Sequence, residues 1–61
     1  MTMSGKETVG LLLDHGWTID RINGSHYIMI KEDKTLVVPV HGNRDLKPGL
    51  LNAILKQAGL K

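Results

Sequence analysis

The chain has 61 residues, which allows one domain (residues 1–61) that buries roughly 60% of its unfolded surface. It has no cysteine, which excludes disulfides, thiolate metal sites and a thiolate nucleophile and fits a reducing cytoplasm. No apolar run approaches the ~20 residues needed to cross a membrane, and no apolar core follows Met1–Ser4 as a signal peptide requires. A net charge of +2, from eight basic and six acidic side chains, is a mild excess, but it is unevenly spread. After Asp33 the sole acid is Asp45, against Lys34, Arg44, Lys47, Lys56 and Lys61, so the carboxy-terminal half is the basic one.

Ser4-Gly5-Lys6-Glu7 has the spacing of a capping box, in which Ser4 and Glu7 satisfy each other's backbone N–H groups. The spacing predicts a helix from Gly5 or Lys6 to His15, burying Val9, Leu12 and Leu13 with Leu11 at the flank. Gly10 is a poor helix residue and marks a candidate close approach of another backbone. Gly16 is placed to end the helix in the left-handed conformation.

Trp17–Ile22 reads as a strand, with Trp17, Ile19 and Arg21 on one face and Thr18, Asp20 and Ile22 on the other. Asn23-Gly24-Ser25 is a turn, and Tyr27–Lys31 is the next strand, rich in β-branched and aromatic types. Glu32-Asp33-Lys34 is a polar turn short enough for an antiparallel hairpin. Thr35–Val40 is a third strand, placed at an edge or ended by Pro39, which has no N–H for a ladder. After the loop His41–Arg44, a second helix begins between Asp45 and Gly49. Asp45 is its candidate cap, and Pro48 is tolerated in the first turn. Its apolar stripe is Leu46, Leu50, Leu51, Ile54, Leu55 and Ala58, and Gly59 is its stop. Two striped helices and one sheet predict a two-layer α+β domain, α-β-β-β-α, with a three-stranded antiparallel sheet and both helices on one face.

Three kinds of chemistry compete. His15, His26 and His41 are the only imidazoles, and none pair at a metal-ligand spacing, so a metal site would need scattered carboxylates. Ser25 beside His26 is not a nucleophile pair, because neighbours on an extended chain point to opposite faces, and Ser25 reads as a turn former. RNA binding or cleavage is the third. An A-form helix exposes a shallow minor groove with 2′-hydroxyls, which a hairpin tip such as Asn23–His26 can enter, while Arg44 and Lys47 near a helix start suit phosphates. The competing reading of these cations is a solvated surface. With only Trp17 and Tyr27 as aromatics, single-strand binding by stacking is not favoured.

The histidines differ. His15, at a helix carboxy-terminus, is structural. His26 is the first side chain after a turn, held by strands yet near solvent, and imidazole changes charge near neutral pH. If the third strand pairs with the second, His41 comes within reach of His26. Two imidazoles so placed would form an acid/base pair for 2′-hydroxyl attack on a phosphodiester.

Taken in order, Gly16-Trp17, Arg21, Gly24-Ser25-His26, Val38-Pro39-Val40-His41, Leu46-Lys47-Pro48-Gly49 and Ile54-Leu55-Lys56-Gln57-Ala58-Gly59 resemble the HicA toxin family over nearly the whole chain. The resemblance implies a double-stranded-RNA-binding-domain-like fold. It implies a cytoplasmic bacterial mRNA interferase of a type II toxin–antitoxin system, neutralised by a HicB antitoxin and needing no metal or cofactor. It makes His26 the catalytic histidine and His41 a candidate second. Ser25, Lys34, Arg44, Lys47 and Lys56 are the candidate RNA contacts. Glu32-Asp33-Lys34 departs from a hairpin that is often more basic or apolar in relatives. The alternatives to a ribonuclease are a non-catalytic double-stranded-RNA-binding module and a protein-binding module.

Overall fold

A computed structural model describes residues 2–61. The elements run α1 (Gly5–Asp14), β1 (Thr18–Asn23), β2 (His26–Lys31), β3 (Lys34–Pro39) and α2 (Pro48–Gln57). The strands form one antiparallel sheet in the order β1-β2-β3. One core joins Val9 and Leu12 of α1, Trp17, Met29, Leu36 and Val38 of the sheet layer, and Leu46, Leu51, Ile54 and Leu55 around α2. Both helices therefore cover the same face, as two apolar stripes and one sheet require. No helix is long and apolar enough to cross a membrane among the described residues.

Helix α1 begins where the capping box places it. Ser4 Oγ accepts from the Glu7 N–H at 3.0 Å, and the Ser4 N–H donates to Glu7 Oε1 at 2.9 Å. Its buried stripe is Gly5, Thr8, Val9 and Leu12, rather than one including Leu13, which is 46% exposed. Thr8 can be buried because its hydroxyl donates to the Ser4 carbonyl at 2.9 Å, which removes the cost of an unpaired polar group. At the other end Gly16 takes φ +90°. The Gly16 N–H bonds to the Leu13 carbonyl and the Trp17 N–H to that of Leu12, a Schellman pattern whose hydrophobic contact is the buried Trp17–Leu12 pair. Lys31 Nζ also reaches the His15 carbonyl at 2.8 Å, a cation at a helix carboxy-terminus. His15 is structural here, its Nδ1 donating to the Leu11 carbonyl at 2.9 Å.

The first strand departs from strict alternation. Ile19 pairs with Met29, but Arg21 pairs with Ile28, so the register shifts between Ile19 and Arg21 and Asp20 is the extra residue of a bulge. Directly opposed residues share a face. Ile22, the partner of Tyr27, is thus returned to the helix side with Ile19, and Arg21 goes to the open side. Two-residue turns close both hairpins, between Asn23 and His26 and between Lys31 and Lys34. In the first, Gly24 has φ +63° while Ser25 is not left-handed, the pattern of a type II′ turn.

The close backbone approach expected at Gly10 occurs at Gly5. A Cβ on Gly5 would collide with the Pro39 carbonyl oxygen and stand 3.0 Å from Val40 Cα, whereas one on Gly10 meets nothing within 4 Å. Helix α2 is capped by Lys47 with no side-chain hydrogen bond, so Asp45 does not cap it. The Asp45 backbone instead bridges to Ser4, and the Leu46 N–H donates to the Met3 carbonyl at 2.8 Å. Having Pro48 as the first helical residue moves the cap to the position just before it. The helix ends at Gly59 as expected, with the Leu60 N–H bonded to the Leu55 carbonyl.

Two glycine substitutions in one helix should have opposite signs in urea unfolding. Gly10→Ala should raise stability by about 1 kcal/mol, the helix propensity gain. Gly5→Ala should lower it by roughly 1–3 kcal/mol through overpacking. Ser4→Ala should cost about 1 kcal/mol by removing the cap.

Candidate functional site

The backbone at the start of β2 places His26. It opens β2 directly after the two-residue turn and pairs with Asn23 on one side and Pro39 on the other. The adjacent pair, Ser25 and Val40, is joined by a hydrogen bond from the Val40 N–H to the Ser25 carbonyl at 2.7 Å. Hydrogen-bonded and non-hydrogen-bonded pairs alternate along an antiparallel ladder, so His26 and Pro39 form a non-hydrogen-bonded pair. In such a pair the Cα atoms lie about 4.5 Å apart and the side chains are close. Pro39 suits this position, since its nitrogen points to the free edge of β3, where no donor is needed. The imidazole stands on the open face of the sheet, with Arg21, Ile28, Ile30 and Val37, and is solvent-exposed.

His41 follows Pro39, the partner of His26, by two residues. The ladder itself ends at Pro39, and His41 lies just past it in the loop that leads to α2. Neither imidazole has a side-chain hydrogen bond among the described residues. No hydrogen bond among the described residues therefore holds either ring in one tautomer, and both residues are exposed.

Beyond His41 the chain turns through Gly42-Asn43 and forms a surface cavity of about 220 Å³ before entering α2. Its apolar wall is Pro39, Leu46 and Leu50. It is lined as well by His41, Arg44 and Lys47, and by one carboxylate, Asp45. The ionisable members are all exposed. Leu50 belongs to the apolar stripe of α2 but is 41% exposed, because it lines this cavity instead of entering the core.

The cations expected to act together divide into two sets. Arg44 and Lys47 flank the cavity that Pro39 and His41 also line, close to His26 through the Pro39 pairing. The half-buried Ser25 lies in the turn beside His26. Lys34 lies at the opposite end of the sheet, paired with Lys31. Five residue steps along β2 separate that end from His26, roughly 17 Å. Lys56 is in the last turn of α2, roughly 13 Å along the axis from Lys47. No group of three His, Asp or Glu residues able to hold a metal ion occurs among the described residues.

Sequence reasoning treated Asp45 and Leu50 as a helix cap and a core residue, and the structure gives both to the cavity. Pro48 was the available signal for Asp45, since a first-turn proline at helix position one leaves Asp45 two residues too early to cap.

A comparison with curated proteins yields no match. A family model described as the HicA toxin of bacterial toxin–antitoxin systems matches residues 5–60, from the first residue of α1 to the residue after Gly59, and so takes in every element described above.

Proposed function

The chain belongs to the HicA toxin family of bacterial toxin–antitoxin systems, and we propose that it is an mRNA interferase, a ribonuclease that uses His26 as an acid/base group. One observation supports this most directly. The register sets an exposed imidazole opposite Pro39, and the strand carrying Pro39 leads into a cavity edged by a second imidazole and two cations. An exposed imidazole on a rigid strand end has the access and the proton chemistry that phosphodiester cleavage needs.

In this reading Arg44 and Lys47 hold phosphates beside the scissile bond and offset the charge that develops on the phosphoryl oxygens. One imidazole of the His26–His41 pair accepts the proton of the RNA 2′-hydroxyl as its oxygen attacks phosphorus. The other donates a proton to the departing 5′-oxygen. The O2′–P bond forms as the P–O5′ bond breaks, leaving a 2′,3′-cyclic phosphate and a 5′-hydroxyl. Ser25 lies beside the reacting strand, and Lys34 and Lys56, at their distances, serve only flanking phosphates.

A toxin of such a system has an antitoxin partner, and the partner proposed is HicB. It would cover the face that carries His26 and exclude RNA from it. The exposed cations at the α2 start favour an acidic contact there.

Expression of wild-type protein should arrest growth and fragment RNA, and His26→Ala should abolish both, with an in vitro rate loss of about 10²–10⁴-fold. A harmless wild type with intact RNA would exclude the ribonuclease reading in favour of a non-catalytic RNA-binding module. Equal toxicity of both proteins would remove only the role of His26. Arg44→Ala and Lys47→Ala should each weaken RNA binding and lower the salt slope by roughly 0.7, the single-strand value per phosphate contact. Lys34→Ala and Lys56→Ala should change cleavage less than either.

A further inference from the structure

We propose that the cavity beside His41 is a subsite for one unpaired nucleobase that carries an exocyclic amine, so that the preferred substrate is single-stranded RNA. This rests on the ribonuclease reading for its biological context, but the observations behind it are separate from His26. They concern the walls of the cavity and not the strand end.

The cavity has the three parts that recognition of a splayed-out base requires. Its wall is apolar, formed by Pro39, Leu46 and the unburied Leu50. Leu46 is in the core and Pro39 is held by the Gly5 contact, so the wall is preformed. The exposed His41 also lines the cavity and offers one imidazole face, so a single base is held by an apolar wall and one ring and not by the row of aromatic platforms that this chain lacks. Arg44 and Lys47 stand at the edge, where the phosphates on either side of an inserted base would lie. The volume, about 220 Å³, is below the range of ordinary small-molecule pockets and suits a single flat ring system with water.

Asp45 supplies the chemical selectivity. Its backbone is tied to Ser4, its side chain does not cap α2, and it lines the cavity together with Arg44 and Lys47. A carboxylate only accepts hydrogen bonds. It therefore favours bases that present an amino group on the pairing edge, namely adenine, cytosine and guanine, over uracil, whose pairing edge places carbonyls on both sides of one N–H. In duplex RNA those amino groups are already paired and the bases are stacked inside the helix, so a cavity of this form cannot engage them. The extraction of a base from single-stranded RNA costs least.

The test is a titration of the protein with AMP, CMP, GMP and UMP, followed through backbone amide shifts. Shift changes should concentrate between His41 and Leu50, and each amine-bearing nucleotide should bind at least threefold tighter than UMP. Asp45→Asn, whose amide can both donate and accept, should erase that preference while preserving binding, and Leu50→Ser should weaken all four nucleotides by about tenfold. Shift changes centred elsewhere, equal binding of all four, or a preference that survives Asp45→Asn would each overturn the proposal. A parallel digestion of one RNA in single-stranded and duplex form separates the two readings. Cleavage without the nucleotide pattern removes the base subsite alone. The nucleotide pattern with intact RNA removes the ribonuclease and leaves the subsite. Equal cleavage of both RNA forms overturns the single-strand preference.

Discussion

The contact between Gly5 and the end of β3 is the constraint on which the site depends. Pro39 is the last residue of an edge strand, and its carbonyl points to the free edge, away from β2. Gly5 lies against that carbonyl so closely that no Cβ fits. An exposed edge with unpaired carbonyls is a liability that proteins cover, and here the first turn of α1 covers it. The residue before Gly5 completes the arrangement. Ser4 caps α1, accepts the Thr8 hydroxyl through its carbonyl, and bridges to Asp45. The start of one helix thus fixes the strand end opposite His26 and also the segment that leads into α2. The backbone beneath the exposed side chains of this 61-residue chain is thus anchored at two points, the end of β3 and the segment before α2.

Much of this was legible in the sequence, and what was missed has common physical causes. The capping box, the turn at Gly24, the edge position of Pro39 and the stop at Gly59 are local features, specified by residues within four or five positions of one another. The α+β order followed from two helical stripes and three strand-like runs. The misses are long-range or depend on register. Thr8 enters the core because one hydrogen bond satisfies its hydroxyl, which an apolar count cannot see. Strict alternation put Ile22 opposite Ile19, and a single bulged residue at Asp20 restores it. Gly5 and Gly10 look alike in sequence, and only the path of β3 decides which meets a backbone. For the site, the pairing of β2 with β3 that sets His26 opposite Pro39 followed from strand order alone. The separation of Lys34 and Lys56 from Arg44 and Lys47 needed the hairpin register and the helix length.

The open face of the sheet adds a last step. Ile28 and Val37 are direct partners there, with Ile30 beside them, and Val37 is 48% exposed. Cross-strand β-branched pairs stabilise a sheet even on a wet face, and β2 and β3 need such pairs because only one side has a helical cover. These residues therefore have a structural reason to be apolar, and their exposure by itself identifies no ligand. They nevertheless extend from His26 along the same face, while the cations and the cavity lie past Pro39 at the α2 start. Anything that covers His26 meets two different environments, an apolar sheet on one side and a charged edge on the other. Polyanionic RNA gains from the second and little from the first. A protein cover gains from both, since burial of the sheet residues contributes about 25 cal/mol per Å² in addition to any ion pairs. If RNA is held through the charged edge, as proposed, a protein held mainly through the apolar face would still hide the same imidazole. A protein inhibitor need not mimic the charge of its competitor to exclude it.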